Sequence, residues 1–561
     1  MRSVYVHFSW FLLFLLALIP ICSITIYTFF SSNCMVLSFS IFSFWNLSFD
    51  MAISLDWISM SFVLCVCLIS IVVLIYSYNY ITPYTKSNYF IWLTISFVLS
   101  MLILILITDL FFCMLGWDGL GLISFLLIAY YQNVNSIFNR VYTLLINRLG
   151  DCFFIISISI CFNVSDRLNF ITFSYLQNIV VPVVLLCTFM TKRAIYPFSF
   201  WLPLAMSAPT PISALVHSST LVTAGLYLII RFYVLLYSNI LLLDMLMLIR
   251  VFTSFYAGLN VLVEQDIKKI IALSTLRHLG FIGLAYSAGF LYLSFFHLLV
   301  HALFKSLIFI AIGDIIVVLN HSQDSRYLRR GLVFTKFSIH IIMLSLFRLL
   351  GLPAFRGFYS KDIVLESLLY SKASLFVMLI VYINIVLTIF YRFKIFSYTF
   401  STLKVLPYNL FHIANTTHTL ILLMLAFFSV SFSFFYIKAF YFHFNIVVVS
   451  VSSKLTPLLF CFGLFVVFYF YGKTFKLSLN NLHSFIRSMF YLKYVTISLT
   501  SKIESVANLN LIKSIEQGFL ANLTVVAIRN VVFLRGSLLL RITRVVSSII
   551  LIFFLFLILS Y

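Results

Sequence analysis

His297, His301 and Lys305 recur at four-residue intervals in FFHLLVHALFKSLIFIAIG, among Phe, Leu, Ile, Val and Ala. At helical pitch these positions share one face. An ionisable stripe in so apolar a helix sits at membrane depth. A charge there costs roughly 2.5–3.5 kcal/mol on insertion scales and is kept mainly where protons or ions move. Histidine titrates near neutral pH and can take a proton on one ring nitrogen while releasing one from the other. A lysine facing a carboxylate is a switch, because the distance to its partner decides whether it holds its proton. The stripe therefore points to proton transfer.

Other ionisable residues lie in or beside apolar stretches: Asp118, Asp151, Lys192, His217, Lys361 and Asp362. Asp118 and Lys192 fall within spans, and we read them as functional. Asp151 follows Arg148 by three residues, so a local ion pair explains it nearly as well as transport. His217 follows Pro209 and Pro211 and could be a hydrogen-bonded packing residue. Lys361 and Asp362 could be a helix-end pair. Lys305 is the hardest of the group to explain by packing. His278, Lys268 and Lys269 are expected near a membrane boundary in structural roles.

The elements that must position these groups follow from composition. The chain has 561 residues, 63% hydrophobic and 9% charged. A soluble domain is closer to half apolar and a quarter charged. The fold class expected is all-α and polytopic, with about 14–16 segments long enough to span a bilayer. The net charge of +21 is read as basic loops facing anionic lipid, not as a nucleic-acid surface. Nine cysteines are scattered without a C-x-x-C pair. No dinucleotide or phosphate-binding glycine motif is present. No metal or bound cofactor is expected in this chain.

A first span is expected at about His7–Phe30, too long for a cleaved signal. Residues 31–55 read as an extramembrane loop or hairpin. Asp56 opens a further span expected at about 56–78, and others are expected at about 89–107, 109–130, 136–162, 179–204, 211–237, 241–263, 269–289 and 291–319. Others follow near 334–355, 366–391, 416–440 and 455–472. Two spans are broken: one by Pro197 and Pro203 beyond Lys192, the other by Gly351, Pro353 and Gly357 ahead of Lys361. Broken helices expose backbone at mid-membrane, as ion sites require. Five regions are expected: 1–88, 89–365 as the transport core, 366–480, 481–545 and 546–561. From Lys473 to Arg544 there are ten Lys/Arg and two Glu. Leu499, Ile503, Val506, Leu509, Ile512, Ile515 and Phe519 keep a helical period there. This reads as an amphipathic surface helix of roughly 90 Å ahead of a last membrane anchor.

Several segments resemble signatures of the antiporter-like membrane subunits of respiratory complex I. They are LGWDGLGLISFLLI, LLINRLGDCFF, TKRAIYPFSFWLPLAMSAPTPISALVHSSTLVTAGLYLIIR, FHLLVHALFKSLIF and GFYSKDIVLE. They cover most of residues 50–370 in the expected order. Lys361, the length and the basic helix before a last span point to the distal member of that series. The related subunit of the multisubunit sodium/proton antiporters is usually longer.

The resemblance implies a proton-translocating subunit of an NADH:ubiquinone oxidoreductase. Asp118 and Lys192 would be the ion-paired switch. His217, His297, His301 and Lys305 would form the central relay, with Lys361 and Asp362 toward the exit. Asp151 and Arg148 would sit near the neighbouring pump subunit. FMN, iron–sulfur clusters and ubiquinone would belong to other subunits. Partners would be the adjacent antiporter-like subunit, accessory subunits and an anionic lipid such as cardiolipin, with no nucleic acid. The location would be the mitochondrial, or alternatively a bacterial, inner membrane. Two residues depart from the pattern: Asp118 stands where the motif has Glu, and Leu204 where it has Asp. Two rival readings are a free-standing cation/proton antiporter and a structural clamp of the membrane arm.

Overall fold

The computed structural model describes residues 15–28, 34–44, 47–81, 87–164, 180–237, 239–319, 321–327, 336–350, 356–370, 374–400, 416–440, 480–487 and 489–490. Helix α1 (Leu15–Thr28) is followed by a β-hairpin of β1 (Met35–Phe44) and β2 (Leu47–Leu55). The strands pair antiparallel, with Met35 opposite Leu55 and an irregularity between Ser40 and Phe42. Alternating Ser and apolar side chains suit a strand with unlike faces. β2 is fixed to the bundle, where the Ala52 N–H donates to Asp109 Oδ2 at 2.6 Å.

The long apolar runs become helices, since helical backbone satisfies itself without water. They are α2 (Trp57–Ile81), α3 (Ser87–Leu106), α4 (Leu110–Ile128), α5 (Val134–Val164) and α6 (Val180–Lys192). A short helix, Trp201–Ala205, leads to α7 (Thr210–Arg231), which contains a π-helical stretch at Ser213–Thr220. Then come α8 (Ile240–Val263), α9 (Ile267–Ser287) and α10 (Leu291–Val318). The series continues with α11 (Lys336–Leu350), α12 (Arg356–Tyr370), α13 (Leu375–Phe400), α14 (Thr416–Phe440) and α15 (Asn480–Arg487). Among the described residues nine helices are long and apolar enough to cross a membrane, with four shorter apolar helices beside them. The chain is an all-α, multi-pass membrane protein. The span expected at 455–472, the surface helix at 481–545 beyond α15, and the anchor at 546–561 lie outside the described residues.

Two boundaries differ from expectation. The 179–204 span ends at Lys192, five residues ahead of Pro197, whose ring clashes with helical backbone before it, and Pro203 falls within the next short helix. The run expected as one span at 366–391 is two helices, because α12 begins at Arg356 and ends at Tyr370 before α13 starts.

Helices α7 and α10 form the centre and are wholly surrounded by protein. α10 packs against α2, α7, α9, α11, α12 and α14. Helix α4 lies close on α3 because position 116 is glycine: a Cβ there would stand 2.7 Å from the Leu104 amide nitrogen. One ion pair ties three elements at the edge of the bundle. Arg231 Nη1 lies 2.5 Å from Asp56 Oδ2, and its Nε donates to Tyr227 Oη at 2.8 Å. Tyr227 in turn donates to the Ile105 carbonyl at 2.7 Å.

Removing one partner of a largely buried pair leaves an uncompensated charge and costs about 3–5 kcal/mol. Asp56→Ala should therefore lower the thermal unfolding midpoint of the detergent-solubilised protein, and Asp56→Asn should lower it less. An unchanged midpoint in Asp56→Ala would show that the pair is not a structural tie.

Candidate functional site

The first group of charged residues forms around Trp117 of α4. Its indole stacks on Phe154, with ring centres 5.5 Å apart, and its Nε1 donates to Asp151 Oδ1 at 2.9 Å. Lys192, fully buried at the end of α6, donates to the Trp117 carbonyl. The Lys192 ammonium also lies 3.8 Å from the indole centre. A desolvated cation over an indole face gains about 2 kcal/mol. Arg148 Nη1 stands 3.2 Å from Asp151 Oδ2 and 3.8 Å from Asp118 Oδ2.

The direct Asp118–Lys192 ion pair implied by the resemblance is not formed in this conformation. The Asp118 carboxylate turns to Arg148, and the Trp117 ring occupies the place beside Lys192. Aspartate is one methylene shorter than the glutamate of the motif, which favours the nearer guanidinium. Asp151 and Asp118 both remain within electrostatic reach of Lys192. Asp151 does form the local pair with Arg148, with the Trp117 N–H as a further hold.

His217 is placed by the π-helical stretch in α7. A π-helical turn is one residue wider than an α-turn, and here the Leu215 carbonyl also accepts from the side-chain hydroxyls of Thr220 at 2.7 Å and Ser219 at 2.9 Å. π-Turns are rare and often mark functional positions. The His217 ring is buried, 6.2 Å from Trp201, and neither ring nitrogen has a hydrogen-bond partner among the described residues. A buried imidazole without partners is costly unless water or a moving proton uses it. The sequence showed the flanking prolines but not the π-turn; its only signal was the run of hydroxyls at Ser218, Ser219 and Thr220.

The stripe on α10 is intact. His297, His301 and Lys305 are all buried, and Lys305 Nζ donates to Ser274 Oγ of α9 at 2.6 Å. Neither nitrogen of His301 has a hydrogen-bond partner among the described residues. Lys361, buried on α12, acts electrostatically on His297. Asp362 follows it on the same helix, and its side chain lies outside the description.

His278 corrects the expectation of a boundary residue. It sits on α9 one turn beyond Ser274, buried, with its ring 5.7 Å from His301 and 6.2 Å from His297. Its Nε2 lies 3.5 Å from Arg392 Nη2 of α13. The four-residue step from Ser274 to His278 puts both on the face that meets α10, a spacing legible in the sequence. Arg277 and Arg392 flank the Tyr391 ring at 5.8 and 5.3 Å, and both act electrostatically on Lys305. Lys268 is buried and donates to the Ala208 carbonyl at 3.1 Å.

The ionisable groups thus fall into two sets, Asp118, Asp151, Arg148 and Lys192 around Trp117 and Lys305, His301, His297, His278 and Lys361 on and beside α10, with His217 on α7, which packs against α10. Among the described residues no cluster of His, Cys, Asp and Glu is built to hold a metal ion.

Comparison with known proteins gives the same class. Residues 107–388 match the family described as NADH:quinone oxidoreductase/Mrp antiporter, TM. The chain belongs to that family. It is 42% identical over 356 residues to a protein named NADH-ubiquinone oxidoreductase chain 5 from Locusta migratoria, covering 63% of this chain and 62% of the relative. A protein of the same name from Anopheles gambiae is 39% identical over 368 residues, covering 65% and 63%. The matched region thus spans under two thirds of these relatives. The fold is shared with a chain of the Mrp complex from a Dietzia species, with a TM-score of 0.70 at 22% identity. That match covers 91% of this chain and 59% of the other. A chain of an archaeal membrane-bound sulfane sulfur reductase matches with a TM-score of 0.65 at 19% identity, covering 80% and 93%.

Trp117 holds Lys192 by its ring and carbonyl, and Asp151 by its N–H. Trp117→Leu should lower ion transport more than Trp117→Phe, which keeps the ring face. Equal transport in Trp117→Leu and the unmodified protein would show that neither side-chain contact is used.

Proposed function

We propose that the chain is a proton-translocating membrane subunit of an NADH:ubiquinone oxidoreductase. The observation that carries this reading is Lys305, buried at the centre of a wholly enclosed helix and sharing one face with His301 and His297. Ionisable groups so placed are costly and serve ion pathways. The named relatives and the family match support the same reading.

The protein's part is to hold and hand on protons. Lys192 rests on Trp117, near two carboxylates that share Arg148. A movement that brings Asp118 or Asp151 closer favours the charged lysine, and withdrawal favours release of its proton. His217, both of whose nitrogens lack a hydrogen-bond partner among the described residues, receives and passes a proton through water. Lys305, His301 and His297 continue the row, and Lys361 with Asp362 form its far end. His278, facing both histidines, belongs to the same relay. The electrons move in other subunits, which would hold FMN, iron–sulfur clusters and ubiquinone; this chain is proposed to bind none of these. The adjacent antiporter-like subunit, accessory subunits and an anionic lipid such as cardiolipin are the proposed partners. The mitochondrial inner membrane is the proposed location, as the animal relatives suggest.

The Mrp likeness keeps a second reading open to test, a free-standing cation/proton antiporter built on the same row. Lys305→Ala in the assembled complex should cut proton translocation per NADH oxidised at least several-fold while the subunit still co-migrates with NADH-oxidising activity on native gels. Normal translocation would sink the relay. Migration as a small free particle with sodium/proton exchange in liposomes would favour the antiporter. Asp118→Asn should also lower coupled translocation, since it removes the charge that Arg148 shares with Asp151; full coupling would count against the switch.

A further inference from the structure

Asp314 lies on α10 nine residues beyond Lys305, which at about 3.6 residues per turn puts it on the opposite face. It takes no part in the row. It is buried, and its Oδ1 lies 2.8 Å from His418 Nδ1 of α14. Ser338 of α11 supplies a further hydrogen bond to the carboxyl group. The Tyr76 ring of α2 meets His418 edge-on at 5.5 Å. Position 313 is glycine because any Cβ would collide with Tyr76 Oη and stand 3.0 Å from Thr210 Oγ1 of α7. Five helices therefore send a polar group to one buried point.

This point connects to a polar space. The Tyr80 ring lies 5.8 Å from Tyr76, and His321 lies 5.9 Å from Tyr80 on the other side. Tyr80 and His321 line a cavity of about 490 Å³ that is also walled by Asn139, Leu204, Lys268 and Gln323. That volume admits many waters, since one needs roughly 30 Å³. Leu204 stands on this wall, at the position where the motif it resembles carries an acid.

We propose that Asp314 and His418 form a second protonatable site, loaded from this cavity through Tyr80 and Tyr76. The inference rests on the proton-translocating reading above. Tyr76 Oη makes no hydrogen bond among the described residues, so water must join it to Tyr80 and to the Asp314–His418 pair. A proton from the cavity then passes inward as each oxygen on the way accepts one proton and gives up its own. The proton ends on the Asp314–His418 pair, and no electron moves. The way onward is α7, not α10. Thr210 stands beside Tyr76 at Gly313, and His217 lies further along the same helix, within its π-helical stretch. A purely packing role explains the site less well. A buried ion pair is often no more stabilising than apolar side chains of the same volume, and apolar side chains would not need a chain of protic groups leading to water.

The test measures protons moved per NADH oxidised, as a function of pH, in liposomes holding the assembled complex. Asp314→Asn should keep the hydrogen-bonding shape, lower the ratio at least two-fold and flatten its pH profile, with Asp314→Glu restoring both. Tyr76→Phe should lower the ratio with assembly intact, and it decides the matter if Asp314→Asn fails to assemble. Unchanged ratios and profiles in Asp314→Asn or Tyr76→Phe, with Lys305→Ala defective, would overturn the second site and leave the main reading standing. Unchanged ratios in all three would overturn both.

Discussion

A lipid interior offers no water to a charge, and the rest of the structure follows from that constraint. Every ionisable side chain kept at membrane depth needs protein around it. The bundle meets this by enclosing α7 and α10 completely and leaving lipid-facing apolar side chains to the outer helices. Leu115 of α4, Leu241 of α8 and Phe427 of α14 point outward, while the histidines and lysines of the centre point inward. The price of this burial is visible in the nitrogens of His217 and His301, which have no hydrogen-bond partner among the described residues.

The regular helix cannot supply every geometry that such a row requires. Where a side chain must reach the centre, the backbone departs from α-helix. α6 stops at Lys192, and α7 opens into a π-turn at His217. A separate short helix, α12, carries Lys361. Small residues allow close approach where polar groups must meet, as Gly116 does between α3 and α4 and Gly313 does beside Tyr76. Departure from regularity thus coincides with Lys192 and His217, while the His297–His301–Lys305 stripe rides an unbroken α-helix.

Much of this was legible in the sequence. Continuous apolar runs gave the helices, and the span expected at 416–440 coincides with α14. The four-residue spacing gave the His297–His301–Lys305 face, and the prolines marked a break in the 179–204 run, though not the end of α6 at Lys192. What was missed depends on neighbours distant in sequence. His278 looked peripheral because its relation to His301 is set by the packing of α9 on α10. The partner of Asp118 was misjudged because the position of the Trp117 ring decides it. Asp314 and His418 lie about a hundred residues apart, and no local pattern pairs them. The 366–391 run proved to be parts of two helices, α12 and α13.

The central claim is that the buried imidazoles change protonation while the complex works. Infrared difference spectroscopy of the assembled complex with isotope-labelled histidine, resting against turning over NADH, tests it directly. The account predicts imidazole bands that appear on turnover, shift with the label and weaken in His301→Gln. A difference spectrum with no label-sensitive imidazole band, or one unaltered in His301→Gln, would contradict it.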